Sequence, residues 1–190
     1  MVRTERSRIR WGVRAAAATL TLAAVLAGGA AAEAGTPSAP AASVKLLERW
    51  SEVGRKLIAI AEDLPEEKYD FKPHADARSF VDQLLHAAGA MASFTDRVAG
   101  RPERYPCDPT GSTVHTRAAV VELVRQSVGD GAELLRAAAD RGLSRVIDAG
   151  SADAVRLADL ADEVIEHSGE HYGQLVVYYR INGMVPPESR

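Results

Sequence analysis

Two histidines four residues apart, His167 and His171, give the strongest indication of a metal site in the sequence. On a helix this spacing places both imidazoles on one side, one turn apart, where they are close enough to share a tetrahedral metal ion. At about 100° per residue, His171 falls within the apolar stripe of that helix and His167 at its edge. The stripe consists of Leu157, Val164, Leu175 and Tyr178. The alternative interpretation is a core histidine that is hydrogen-bonded to a neighbouring side chain.

A third histidine, His86, is the natural third ligand, and it lies in the middle of another predicted helix. Its direction is about 120° away from the apolar stripe of that helix. His86 therefore faces either a groove against the helix of the histidine pair or the solvent, and the spacing favours neither.

The segment 167–171 also matches H-x-x-E-H, the inverted zinc-protease pattern in which Glu170 would be the general base. That class needs a further acidic ligand far downstream, and few residues follow His171, so we do not expect a protease. Two glycines, Gly169 and Gly173, interrupt the same helix. A glycine within a helix costs about 1 kcal/mol relative to alanine. These two would let another helix or a ligand come close to the histidines.

Apolar residues at helical spacing predict four helices and no strand, which indicates an all-α four-helix bundle. Ser43 and Thr116 are the expected N-caps of the first and third helices. Gly142 and Gly183 are the expected ends of the third and fourth helices. The predicted helices span residues 43–63, a start at Asp76 or Ser79 to 99, 116–141 and 153–182.

The N-terminal residues 1–34 have the order of a cleavable secretory signal peptide: five arginines, an apolar run and small residues with A-x-A sites. Residues 35–42 then form a flexible leader, and residues 43–188 form the bundle. We expect a periplasmic or secreted protein without stable membrane insertion after cleavage. Loss of the arginines would make the formal net charge, −3 for all 190 residues, more negative. An acidic surface argues against binding nucleic acid or anionic lipid.

The lone cysteine, Cys107, excludes an internal disulfide framework. It lies in a predicted loop, where we expect an inert thiol.

Several short motifs together resemble the DinB-like family of bacterial four-helix bundles over about residues 43–188. They are LPEEKY at 64–69, FKP at 71–73, RSF at 78–80, LLHAA at 84–88, HSGEHYGQL at 167–175, YRING at 179–183 and the prolines at 186–187. In that family one histidine of the second helix and an H-x-x-x-H pair of the fourth bind a divalent metal. The matching residues here are His86, His167 and His171. Homodimers are common in the family, so the resemblance implies one.

The resemblance implies a metal-dependent hydrolase or a thiol S-transferase acting on an unknown small-molecule substrate. Zinc or nickel suits three nitrogen ligands best. Glu163, Glu170 and Gln174 are candidates to hydrogen-bond the histidine ligands. Tyr172 and Tyr178 could orient a substrate, although we expect them mainly to pack in the core. Low-molecular-weight thiols are cytosolic, so export argues against thiol transfer. The alternative is a non-catalytic metal-binding or interaction module.

Overall fold

The four predicted helices form, and they pack into a bundle around one apolar core. The structure is a computed structural model that describes residues 41–106, 108–109 and 112–190. The predicted signal peptide, most of the predicted leader and Cys107 lie outside the described residues. The elements are α1 (Ala42–Asp63), α2 (Phe80–Val98), α3 (Arg117–Gly142), β1 (Val146–Ile147), β2 (Val155–Arg156) and α4 (Leu157–Ile181), with 3-10 turns at Glu66–Lys68 and Pro187–Ser189.

Helices that follow one another in sequence are not all neighbours in the bundle. α1 packs against α3 and α4, and α2 packs against the same two helices, so α1 and α2 lie diagonally across the core. This order makes α2 and α4 neighbours along much of their length. The bundle therefore brings the helix of His86 against the helix of His167 and His171.

The helix starts show which N-cap predictions were correct. The Ser79 side chain accepts a hydrogen bond from the backbone N–H of Asp82, and Thr116 caps α3 through the N–H of Ala119. Ser43 is not an N-cap, because α1 begins one residue earlier, after Ala41. Its backbone N–H donates instead to Oδ1 of Asp140 on α3, at 2.7 Å.

The expectation that no strand forms was wrong, as was the early start of the fourth helix. Residues 155 and 156 pair antiparallel with residues 147 and 146, and this two-residue ladder occupies the chain where the helix was expected to begin. α4 starts directly afterwards at Leu157, whose N–H donates to the carbonyl of Arg145 at 2.9 Å. Gly142 is still helical, whereas Gly183 follows α4 with a φ of +70°, as its predicted role as a helix end requires.

None of the helices in the described part of the chain is long and apolar enough to cross a membrane. Among the residues that the structure describes, no other helix approaches Gly169 or Gly173 closely, so the helix contact that the sequence suggested for them is wrong. Both are exposed, and a Cβ at either position would meet no other atom within 4 Å.

The close packing of α1 against α3 depends on a different glycine, Gly131 of α3. The ring of Trp50 is fully buried and lies where the Cβ of any other residue at position 131 would stand. The indole N–H of Trp50 donates to the carbonyl of Val128 at 2.9 Å, which fixes the ring over this part of α3. On its other side the ring packs against Phe94, with ring centroids 5.0 Å apart. A residue with no side chain is therefore needed at position 131.

We predict opposite effects of the same substitution at two glycines of α3. Gly129→Ala should raise the free energy of unfolding by up to about 1 kcal/mol, because a Cβ there meets nothing and alanine favours the helix. Gly131→Ala should lower it by about 1–3 kcal/mol, because the methyl group overlaps Trp50. Urea unfolding followed by circular dichroism measures both. Equal effects of the two substitutions would contradict this account of the α1–α3 contact.

Candidate metal centre

Three histidines converge where α2 faces α4. The ring centroids of His167 and His171 are 4.3 Å apart, and that of His86 is 5.1 Å from the first and 4.5 Å from the second. One ligand nitrogen from each ring lies within 4.8 Å of the other two. His86 thus faces the groove against α4, which was one of the two open possibilities. These three nitrogens can hold a divalent metal ion.

Burial keeps the histidines of α4 uncharged. His171 is buried, and desolvation, helped by the charges of His167 and His86, lowers its pKa from 6.5 to about 4. Desolvation is also the main cause of the lowered pKa of His167, which is half-buried, with the charge of His86 second. The neutral imidazole is the form that binds a metal, so these two rings are in their ligand form at neutral pH.

The sequence analysis missed Gln83, a buried residue one helical turn before His86. Its side-chain nitrogen contacts Nδ1 of His171 and donates to Oε1 of Gln174 at 2.6 Å. Only 2% of Gln83 is exposed. The available signal was an amide on the apolar stripe of α2, because a buried polar side chain needs hydrogen-bond partners.

Gln174, expected beside the cluster, does lie there as a partner of Gln83. Glu163 and Glu170 act on His167 through their charges, which oppose the lowering of its pKa.

The two tyrosines near the cluster, Tyr172 and Tyr178, have different surroundings. Tyr178 packs in the core against Phe80, with ring centroids 5.4 Å apart, and its hydroxyl donates to the carbonyl of Arg78. Tyr172 lines a separate groove between α1 and α4, beneath the ammonium group of Lys56. The core packing expected of Tyr178 is confirmed, whereas Tyr172 is only partly buried.

A groove of about 220 Å³ between α2 and α4 opens directly beside His167. Apolar side chains line most of it, and Arg97 and Glu163 add two charged groups of opposite sign to its lining. Arg97 is held by Asp148, whose carboxylate accepts from its Nε at 2.6 Å. The groove is lined by Ala90, Ser93, Phe94, Arg97, Leu160, Glu163, Val164 and His167. A small molecule lying in it would touch one of the three histidines.

The fold and the cluster define a class: a four-helix bundle with a candidate three-histidine metal centre between two neighbouring helices. The family model described as the DinB superfamily matches residues 49–175, well over half of the chain. The chain therefore belongs to the DinB superfamily, which confirms the resemblance seen in its motifs.

Two solved structures of DinB-like proteins share this fold. The chain is similar to a DinB-like protein of Bacillus subtilis, with 21% identity and a TM-score of 0.59 over 74% of this chain and 93% of that one. A DinB-like protein of Bacillus cereus gives 16% identity and a TM-score of 0.55 over 75% of this chain and 93% of that one. A comparison with curated proteins gave no match. These structures confirm the four-helix bundle.

We predict that the metal-free protein loses stability as the pH falls from about 6.5 to about 4. In this range the unfolded chain protonates His171 while the folded protein, with its lowered pKa, does not. The free energy of unfolding therefore decreases over this interval, by about 1.4 kcal/mol for each unit of difference in pKa. Urea unfolding at a series of pH values measures the decrease.

The His171→Asn variant is the control, because it lacks the titrating ring and should lose this part of the pH dependence. NMR titration of the imidazole signals reports the same group directly. A His171 ring that titrates near 6.5 in the metal-free folded protein would contradict the prediction.

Proposed function

We propose that this protein binds a zinc or nickel ion through His86, His167 and His171 and uses it to hydrolyse a small-molecule substrate. The observation that supports the proposal is the convergence of three imidazoles from α2 and α4 beside an open groove. Three neutral nitrogen donors fit the preferences of zinc and nickel. They also leave at least one coordination position for water or substrate, as catalytic sites require.

The chain's own residues have distinct tasks in such a site. The three histidines hold the ion, and the buried packing around His171 keeps its ring neutral and fixed. Phe94 and Val164 offer an apolar surface to the body of a substrate, next to His167. The ion itself would supply Lewis acidity that generates a nucleophile at neutral pH.

Hydrolysis is proposed in preference to thiol transfer because of the expected location. Residues 1–34 carry the features of a signal peptide, so we propose a periplasmic or secreted protein. The thiol cofactors that a transferase needs belong to the reducing cytosol. Water, in contrast, is available in every compartment.

The first prediction from this proposal concerns metal content. Mature protein incubated with zinc or nickel salts should hold close to one ion per chain, and the His167→Ala/His171→Ala double variant should hold almost none. His171→Ala should lower metal content at least as much as His86→Ala, because His171 is the most buried of the three. Plasma mass spectrometry of dialysed samples gives the numbers.

His115→Ala is the matched control, because His115 is exposed and is not part of the cluster. It should leave metal content unchanged. Unchanged metal in both His86→Ala and His171→Ala would overturn the three-histidine assignment.

The second prediction concerns turnover. Metal-loaded protein should hydrolyse at least one member of a panel of chromogenic esters, amides and phosphoesters. A chelator should remove the activity, and readdition of the ion should restore it. The His167→Ala/His171→Ala variant should be inactive in the same assay. A stoichiometric metal site with no turnover across the panel would favour the alternative function, a non-catalytic metal-binding module.

A further inference from the structure

Two hydrogen-bonded side-chain amides lie beside His171, and one of them contacts its Nδ1. The nitrogen of Gln83 contacts Nδ1 of His171 and donates to the side-chain oxygen of Gln174. Gln83 lies three residues before His86 on α2, and Gln174 lies three residues after His171 on α4. Each amide is therefore close to one turn away from a proposed ligand, and the pair joins the two helices behind the cluster.

The contact at Nδ1 decides which nitrogen of His171 can serve as a ligand. Because Gln83 occupies the Nδ1 side of the ring, Nε2 is the nitrogen left for an ion. A ligand Nε2 must offer a lone pair, so a neutral His171 must carry its proton on Nδ1 and donate it. The group facing Nδ1 must then be a hydrogen-bond acceptor.

The amide pair can supply that acceptor without any change in backbone position. When the side-chain nitrogen of Gln83 faces the ring, it donates to Nδ1, so a neutral His171 has its proton on Nε2. In that tautomer Nε2 has no lone pair to offer a metal ion. If both amides turn over, Oε1 of Gln83 accepts from Nδ1–H of His171 and also from Nε2 of Gln174. The contacts of Gln83 with His171 and with Gln174 then each keep a donor and an acceptor.

Burial makes Gln83 the more important of the two amides. Gln174 is exposed, and water can replace its hydrogen bonds. Gln83 is fully enclosed, so its amide has to be satisfied by protein groups, and His171 and Gln174 are those groups. A donor left unpaired at this depth would weaken the site that depends on it.

We propose that Gln83 is a positioning residue of the metal centre, whose side-chain oxygen accepts the Nδ1–H of His171 and thereby fixes the tautomer and ring orientation that present Nε2 to the ion. The proposal rests on the metal site described above. Hydrogen-bonded partners of this kind typically contribute about 10- to 100-fold to metal affinity.

The test compares the zinc affinity of three variants, measured by competition with a chromophoric chelator. Gln83→Leu keeps a side chain of similar length but removes the acceptor, and it should weaken zinc binding about 10- to 100-fold. Gln83→Glu restores an acceptor oxygen and should bind zinc within a few-fold of the unmodified protein. Gln126→Leu makes the same chemical change on an exposed residue of α3 and should have no effect. Circular dichroism confirms that each variant is folded.

NMR of the zinc-loaded unmodified protein provides a readout that loss of packing would not produce. The Nδ1–H proton of His171 should be visible and protected from exchange with water, and Nε2 should carry no proton. Gln83→Leu should abolish that protection. A proton on Nε2 in the zinc-loaded protein would overturn the proposal whether or not any variant folds.

The outcomes separate this proposal from the one on which it rests. If the unmodified protein binds zinc and Gln83→Leu binds it equally tightly, Gln83 has no positioning role and the metal site stands. If a folded Gln83→Glu variant binds zinc as weakly as Gln83→Leu does, the acceptor role is wrong. If the unmodified protein binds neither zinc nor nickel, both proposals fail.

Discussion

The packing of α2 against α4 is the contact on which the candidate site depends. His86 is separated from the other two histidines by nearly half of the chain, and only this helix pair brings them together. α2 and α4 are neighbours because α1 and α2 lie diagonally, an order that leaves α3 and α4 to fill the two remaining corners. The burial of Trp50 against Gly131 packs α1 closely against α3, one of the helix contacts on which this arrangement rests.

Burial gives the site its electrostatic character. Three imidazoles close together cannot all be protonated at low cost, and the apolar surroundings of His171 make its charged form still less favourable. Burial also makes the ring nitrogens of His171 depend on hydrogen-bond partners within the protein, and the buried amide of Gln83 contacts Nδ1. A neutral ligand set and a dependence on protein hydrogen bonds thus have a single physical cause.

The sequence predicted most of the bundle because helical periodicity is a local signal that extends over many residues. The burial of His171 followed from its place on the apolar stripe. The direction of His86 could not be resolved, because an angle on one helix does not reveal which helix packs beside it. Gln83 was missed although it interrupts an apolar stripe, since its partners lie on another helix. The strands at residues 146–147 and 155–156 are too short to leave an alternating pattern.

The separation of His86 from His167 and His171 has a consequence for how the protein folds. In an unfolded chain only the two histidines of α4 lie close together, because bringing His86 to them requires closure of a loop of about 80 residues. Any ion held by all three rings therefore cross-links distant parts of the chain and stabilises only the completed bundle. Occupancy of the site and the equilibrium between folded and unfolded chains become linked quantities, so removing a bound ion with a chelator would lower the free energy of unfolding of the whole domain.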